Sequence, residues 1–326
     1  MSFEFSTMKT PQNSFPELAR AIGVHEVWLK REDLHHFGSH KGRSIPFMID
    51  HYWHKEQKNN FVISSSGNAA IAAAVYTQHH NTNNPDKPIT LTIFVGKKIS
   101  DEKLKRLTAI PAFVQINLDY GEAMQDMHIK IQKVENPKQQ AFQMEKNTGA
   151  TLLRQSTDEL ALKGYYELAE ELNRIPNLSA IFIPTSSGTT ALALARVFET
   201  LEQKPEIHIV QTSTVHPIAD SFQIPPCPTH EMAQNTTLEE STESIANAIV
   251  DKVALRKFPV VEAVLKSHGN GWIASNNDIR AAIELVKKTT DVVISPNSAL
   301  SVVGLNLALQ AGKKYSGAVV CLITGT

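Results

Sequence analysis

A lysine set among small residues is the first feature of the sequence that could do chemistry. Lys41 lies in KREDLHHFGSHKGR, residues 30 to 43, between Gly38 and Gly42. Glycine and charge at this density favour neither helix nor strand, so the stretch predicts a tight loop. A solvated surface loop is one interpretation. The other is an amine that must approach a ligand closely, as a nucleophilic lysine does.

The histidines of the same stretch could in principle bind a metal. His35 and His36 are adjacent and would face apart, which leaves His40 without a convergent partner. Metal sites need several ligands that point at one position, supported by a second shell. We therefore predict no metal site here.

Two polar turns follow predicted strands, at the strand ends where α/β folds bind ligands. SSSGNAA, residues 64 to 70, joins three serines to a helix start through Gly67 and Asn68. PTSSGTTALALA, residues 184 to 195, places hydroxyl side chains at another helix start. Amide groups and hydroxyls at a helix N-terminus make an anion cradle. Ordinary helix capping would explain either turn taken alone.

Together, a lysine, an asparagine turn and a phosphate cradle are what an enzyme needs to hold pyridoxal phosphate covalently. Their order and spacing resemble the fold-type-II pyridoxal-phosphate enzymes, the tryptophan synthase β-like group that includes cysteine synthase, threonine synthase and threonine dehydratase. The resemblance covers nearly the whole chain. It extends from TPQNSFPELARAIGVHEVWLKREDLHHFGSHKGR to the C-terminal segments VVISPNSALSVVGL and VVCLITGT.

The resemblance implies a role for each motif. Lys41 would be the Schiff-base lysine and the general base, Asn68 would lie beside the phenolic oxygen of the cofactor, and Thr324 would face its pyridine nitrogen. The substrate carboxylate would be bound by Ser65, Ser66, Gly67 and Ala69. The cofactor phosphate would be bound by Ser186, Ser187, Gly188, Thr189 and Thr190.

The implied reaction is elimination or replacement of a β or γ substituent of a small amino acid, the chemistry of a carbon–oxygen lyase. A neutral hydroxyl at the ring nitrogen makes the ring a weaker electron sink, which favours elimination over transamination. Threonine synthase, acting on O-phosphohomoserine, is the best match in motifs, although Ala69 stands where that enzyme commonly has a hydroxyl residue. Threonine or serine ammonia-lyase and D-cysteine desulfhydrase are alternatives.

A non-catalytic ligand-binding relative is the hypothesis from another class, because fold does not imply function. The phosphate turn has one glycine, Gly188, where relatives usually have several. That departure is the feature that motivates this alternative. An intact Lys41 argues against it, since a protein that only binds has no need of an amine at that position.

The elements that must position these residues alternate between strand-like and helix-like runs. Predicted strands are HEVWLK, NFVISS, ITLTIFV, FVQINL, SAIFIPT, EIHIVQT and SGAVVCLIT. Predicted helices are NAAIAAAVYTQHH, DEKLKRLTAI, GEAMQDMHIKIQKV, STDELALKGYYELAEELNRI, TTALALARVFETLEQ, DIRAAIELVKK and ALSVVGLNLALQ. Ser156 and Glu159 have the spacing of a capping box. This rhythm predicts an α/β fold with two parallel-sheet cores and flanking helices.

The resemblance also implies two lobes. Residues 36–152 would form a small lobe that closes on the substrate, and residues 1–35 with 153–326 a large cofactor-binding lobe. Residues 212–240, rich in proline and poor in periodicity, predict a long surface excursion. Related enzymes are commonly homodimers.

Composition excludes several classes of partner. The 32 basic and 33 acidic residues nearly cancel, so neither nucleic acid nor an anionic membrane surface is expected as a partner. Cys227 and Cys321 are far apart and without metal-type spacing, so we expect reduced thiols. Since no apolar run is long enough for export or membrane crossing, we expect a cytoplasmic protein whose partner is a small amino-acid substrate.

Overall fold

The computed structural model describes residues 9–109, 114–117, 128–222 and 243–325. The described chain divides into two compact units. One runs from His35 to Gly164. The other combines the residues up to Leu34 with those from Tyr165 onward, so it is discontinuous in sequence.

Helices and strands alternate along both units. The helices are α1 Pro16–Ile22, α2 Lys41–Glu56, α3 Asn68–Asn83, α4 Asp101–Thr108, α5 Pro137–Thr148, α6 Leu160–Lys163, α7 Tyr166–Leu172, α8 Thr189–Phe198, α9 Lys257–Lys266, α10 Asn276–Thr289 and α11 Pro296–Gln310. The strands are β1 Gln12–Ser14, β2 Glu26–Arg31, β3 Asn60–Ser64, β4 Thr90–Gly96, β5 Val114–Asn117, β6 Ile129–Val134, β7 Thr151–Leu152, β8 Leu178–Pro184, β9 Glu206–Thr212, β10 Gly271–Ala274 and β11 Ala318–Ile323.

The unit from His35 to Gly164 is built on a parallel sheet of five strands, in the order β5-β6-β4-β3-β7. Phe61, Val62 and Ile63 in β3 are buried, as are Ile93 and Val95 in β4. Helices cover a parallel sheet on both faces, so its central strands are nearly continuous apolar runs.

The second unit is built on a sheet of six strands, in the order β1-β2-β11-β8-β9-β10. Strand β1 pairs with β2 in the antiparallel sense, and the other pairs are parallel. Leu29, Cys321 and Phe182 come from three neighbouring strands, and each is fully buried. The first and last parts of the chain therefore share one core.

The α/β fold with two parallel-rich sheets that the sequence predicts is confirmed. β-branched and aromatic runs formed strands where they were expected, and helices begin at the polar turns after β3 and β8. The described part of the 212–240 segment has a short 3₁₀ turn at Ala219–Phe222. Residues 223–240 of that segment lie outside the described residues.

One predicted helix is wrong. Of GEAMQDMHIKIQKV, the described part from Ile129 to Val134 is strand β6, which pairs with β4 and β5. Ile129 and Ile131 are buried while Lys130 between them is exposed. This alternation has the period of a strand, and the helical interpretation gave too much weight to spacings of three and four.

A second prediction, one long helix with a capping box at Ser156 and Glu159, is also wrong. Two short helices, α6 and α7, replace it, and the amide of Leu160 donates to Asp158 Oδ1 at 2.8 Å. The helix is interrupted after Lys163. A Cβ on Gly164 would lie 2.6 Å from Ser44 Cα, so the backbone there packs directly against α2.

Two smaller findings bear on the composition arguments. Within the described residues, no helix combines the length and apolarity that a membrane crossing requires. Cys321 is a free, buried thiol, as expected. Cys227 lies outside the described residues.

Candidate active site

Lys41 is the first residue of helix α2, which corrects the prediction of a loop at this position. Gly42 follows because the helix start packs closely against the preceding turn. A Cβ on Gly42 would lie 2.4 Å from His35 Nδ1 and 2.7 Å from Phe37 Cβ. Only glycine permits this approach, so its place after Lys41 has a packing reason.

Helices α2 and α3 bring Lys41 and Asn68 to the same end of their unit. The rings of Trp53 and His80 lie 4.4 Å apart, and each is about equally far along its own helix. Tyr76 Oη donates to Asp50 Oδ1 at 3.0 Å. Matched contacts along both helices mean that they run in parallel, with Lys41 and Asn68 at neighbouring N-terminal ends.

The turn between β3 and α3 is a compact polar loop. The amide of Gly67 donates to Ser65 Oγ at 3.3 Å, and Gly67 is the N-cap of α3, where no side-chain cap is present. An uncapped helix start leaves N–H groups aimed at the loop. Ser65, Ser66, Gly67 and Ala69 lie together at this helix start.

Arg106 in α4 is a residue that the sequence did not single out. Its Nη2 donates to Asn68 Oδ1 at 3.3 Å, and α3 packs against α4. Arg106 adds positive charge to the turn that carries Asn68. The basic face of α4 resembles any solvated helix surface, so no sequence signal distinguished this side chain.

The turn between β8 and α8 brings the predicted phosphate residues together. Ser187 Oγ and Thr189 Oγ1 lie 2.9 Å apart, and Thr189 and Thr190 are buried. Helix α8 also begins without a side-chain cap. Hydroxyls and the amides of a helix N-terminus are suitable donors to a phosphate.

Gly188 gives this turn its shape. It has φ of +83°, a left-handed conformation that a residue with a side chain adopts at a cost. A Cβ there would also lie 2.5 Å from Val260 Cγ2. The single glycine of the loop is therefore at the position where conformation and packing both require one.

Thr324 lies at the same edge of the six-stranded sheet as this turn. Strands β8 and β11 are parallel neighbours with Cys321 opposite Phe182, so Pro184 and Ile323 end side by side. Thr324 is 5% exposed. Residues 186–190 and Thr324 belong to this unit, whereas Lys41 and residues 65–69 belong to the other.

Two serines that the sequence did not single out hold the chain after Thr324. Ser295 Oγ donates to the carbonyl of Gly325 at 2.6 Å, and Ser298 Oγ donates to the same carbonyl at 3.0 Å. Ser295 also caps α11, since its Oγ accepts from the amide of Ser298. The cap of α11 and the position of Thr324 are thereby coupled.

The thiol nearest to Thr324 in sequence is chemically inert. Complete burial raises the pKa of Cys321 to about 12, with a smaller opposing effect from the hydrogen bond to Ser301. A thiolate is the reactive form of cysteine, so Cys321 is not a nucleophile at neutral pH.

In the described part of the chain, no three histidine, cysteine or acidic side chains converge as metal ligands.

The residues of each unit fit pyridoxal phosphate in chemical type: one unit has an amine at a helix start, and the other has hydroxyl and amide donors suited to a phosphate. Folds of this class are found in maize serine racemase, with a TM-score of 0.75 at 17% identity, covering 97% of this chain and 88% of that chain. The chain matches the pyridoxal-phosphate dependent enzyme family over residues 4–325, and it belongs to that family. Pyridoxal phosphate is accordingly its cofactor.

Individual relatives are distant. The threonine synthase of Methanosarcina acetivorans is 21% identical over 97% of this chain and 74% of its own length. A catabolic L-threonine dehydratase of Staphylococcus aureus is 25% identical over 66% of this chain and 56% of its own length. Both enzyme types were predicted as relatives from the motifs, and that resemblance is confirmed.

Proposed function

We propose that this protein eliminates or replaces a β or γ substituent of a small amino acid, as a threonine synthase-like enzyme that converts O-phosphohomoserine to threonine. The observation that carries the proposal is the pairing of Lys41 with Asn68 at neighbouring helix starts. A relative matched over 97% of the chain is a threonine synthase, which supports this reaction ahead of the others.

Lys41 is the proposed catalytic residue. Bound pyridoxal phosphate supplies an aldehyde that takes up an amine and a ring that accepts the electrons released at Cα. Lys41 Nζ would hold the cofactor covalently. Once displaced by the substrate amine, the same Nζ would remove the Cα proton as a general base.

The remaining residues would bind and orient. Asn68 would donate to the phenolic oxygen of the cofactor, and Thr324 would contact the ring nitrogen. The substrate carboxylate would be bound by Ser65, Ser66, Gly67 and Ala69. The turn formed by Ser186, Ser187, Gly188, Thr189 and Thr190 would surround the phosphate. Because a threonine hydroxyl is neutral, Thr324 would not stabilise a protonated ring, which would favour elimination over transamination.

The two units would divide this work. We propose that the unit from His35 to Gly164 is the lobe that closes on the substrate, and that the six-stranded unit is the cofactor-binding lobe. Such closure would exclude water from the reacting Cα of the substrate. A homodimer is the proposed assembly, which sedimentation equilibrium tests directly.

The first experiment locates the lysine. We expect the purified protein with pyridoxal phosphate to show a visible absorption band, and borohydride reduction to leave a phosphopyridoxyl group on Lys41 in peptide mass spectrometry. Lys41→Ala should lose both. Lys55→Ala, which removes an exposed lysine at the other end of α2, should lose neither.

The second experiment separates the reactions. Phosphate release together with threonine from O-phosphohomoserine supports the synthase. Ammonia and a 2-oxo acid from threonine or serine supports an ammonia-lyase, the second candidate, which the match to the L-threonine dehydratase favours. Sulfide from D-cysteine would indicate a desulfhydrase. A protein that takes up no cofactor would instead be a non-catalytic relative.

A further inference from the structure

A segment without regular structure crosses the six-stranded unit before α9. We call residues 243–251 the strap. Asn276 Oδ1 accepts from the amide of Ile245 at 3.0 Å, and Asn297 Oδ1 accepts from the amide of Ala248 at 2.9 Å. Side chains of α10 and α11 therefore hold the strap through its own backbone.

The last part of the strap is held by the turn after β8. Ser186 Oγ donates to Asp251 Oδ2 at 2.9 Å. Ser186 Oγ also accepts from the amide of Val250 at 3.2 Å and from the amide of Asp251 at 3.3 Å. A serine hydroxyl has one donor and two acceptor sites. All of them are used within the unit.

The backbone of Ser186 is braced as well. Its carbonyl accepts from Gln211 Nε2 at 3.4 Å, and Gln211 is fully buried in β9. Gln211 Oε1 also accepts from the amides of Ile218 and Ala219, each at 2.9 Å. Ser186 is thus fixed by β9 through its carbonyl and by the strap through its hydroxyl.

The strap connects both ends of the proposed cofactor-binding surface. At Asp251 it meets the phosphate turn. At Ala248 it meets Asn297 in the first turn of α11. Ser298 in that turn bonds the backbone of Gly325, next to Thr324. Displacement of the strap would act on the phosphate turn and on the Thr324 segment together.

We propose that Ser186 is a positioning residue and not a phosphate ligand, and that the Ser186–Asp251 pair determines cofactor affinity by tethering the strap to the phosphate turn. The phosphate is then bound by Ser187, Thr189, Thr190 and the amides at the start of α8. This inference rests on the proposed function, because it assumes that this turn binds the cofactor phosphate.

A double-mutant cycle tests the tether. The dissociation constant of pyridoxal phosphate is measured by absorption titration of the cofactor-free protein. Ser186→Ala and Asp251→Ala should each weaken binding about tenfold or more, with Ser186→Ala at least as weak because it also removes the bonds from the amides of residues 250 and 251. The double variant should bind no more weakly than Ser186→Ala, which already lacks the contact with the Asp251 carboxylate. Asp251→Asn keeps an oxygen that accepts from Ser186 Oγ, so its dissociation constant for pyridoxal phosphate should stay near that of the wild type.

Ser187→Ala is the matched control, since Ser187 lies in the same turn but does not touch the strap in the bonds described. Its effect on the dissociation constant should multiply with that of Asp251→Ala. Hydrogen exchange at the amides of residues 250 and 251 should speed up in Ser186→Ala and Asp251→Ala but not in Ser187→Ala. This second measurement requires no activity.

The outcomes separate the two proposals. If Ser186→Ala weakens cofactor binding equally in the wild type and in Asp251→Ala, Ser186 contacts the phosphate itself, and the inference fails while the proposed function stands. If exchange at residues 250 and 251 is unchanged in Ser186→Ala, the tether is absent and the inference fails as well. A wild-type protein that binds no pyridoxal phosphate would overturn both.

Discussion

His208 is a buried side chain whose hydrogen bonds define its protonation state. The amide of Asn270 and the indole N–H of Trp272 both donate to Nδ1, at 3.0 and 3.2 Å. Nδ1 is therefore an acceptor, and the ring proton lies on Nε2, which faces Glu206 Oε2 at 3.0 Å and the Tyr315 hydroxyl at 3.1 Å. A second proton, on Nδ1, would break the hydrogen bonds from Asn270 and Trp272.

This geometry predicts a pH dependence of stability. Burial lowers the pKa of His208, although the nearby Glu206 carboxylate acts in the opposite direction. The unfolded chain takes up the proton at an ordinary pKa of about 6.5, whereas the folded protein resists it. The contribution of His208 to the free energy of unfolding is therefore fully present above about pH 6.5. It falls as the pH drops below that value, by at most about 1.4 kcal/mol per pH unit.

Urea unfolding at a series of pH values from about 7.5 to about 5 measures this change in the free energy of unfolding. The range spans the ordinary histidine pKa of about 6.5. His208→Gln keeps an acceptor for Trp272 but does not titrate. The difference in unfolding free energy between wild type and variant should shrink toward acid pH, because only the wild type loses stability through this group. Burial also lowers the pKa of His79 and His80, which remain in both proteins and cancel in the difference. A constant difference across the range would contradict the prediction.

At the scale of elements, the start of α8 depends on one residue without a side chain. Gly188→Ala places a Cβ in a left-handed conformation and within 2.5 Å of Val260 Cγ2 in α9. The left-handed backbone costs a residue with a side chain about 1 kcal/mol. The clash with Val260 costs roughly a further 1–3 kcal/mol. We expect a clear loss of thermal stability together with weaker binding of pyridoxal phosphate, because the turn must move.

Gly312→Ala is the control for the cost of placing a side chain on a left-handed backbone. Gly312 follows α11 with φ of +88°, and a Cβ there would meet nothing within 4 Å. The free energy of unfolding of this variant should fall by only about 1 kcal/mol, and cofactor binding should be unchanged. Equal losses in the two variants would show that the contact with Val260 is unimportant.

At the scale of the whole molecule, the six-stranded unit must join two distant parts of the chain. Lys30 in β2 and Glu171 in α7 form an ion pair between these parts, and their side chains are 0% and 3% exposed. Lys30 Nζ also donates to the carbonyl of Thr10 at 2.9 Å. One amine thus links the N-terminal segment to the helix where the chain re-enters this unit.

Lys30→Met should destabilise the protein by about 3–5 kcal/mol, because it leaves the Glu171 carboxylate buried without this partner. Adding Glu171→Leu should restore much of the loss, since an apolar pair replaces two charges. Arg20→Ala, which breaks an exposed pair with Glu17, should cost less than about 1 kcal/mol. Urea unfolding of the four proteins measures these differences. A double variant as unstable as Lys30→Met would contradict the argument.

The sequence by itself determined the α/β class, the order of most strands and helices, and the turns that carry the candidate site. Strand runs, helical periodicity and small polar turns are local features, since each depends on residues a few positions apart. Lys41, Asn68 and the SSGTT turn could be selected because fold-type-II enzymes carry the same residue types in the same order.

Only the tertiary structure decided which distant residues meet. Lys41 begins a helix whose second residue, Gly42, packs closely against His35 and Phe37. The helix that ends at Lys163 is followed by Gly164, whose backbone lies close to Ser44. The Ser186 hydroxyl binds a carboxylate 65 residues away, at Asp251. Such contacts depend on how sheets and helices pack, and side chains far apart in the chain leave no local pattern that encodes their meeting.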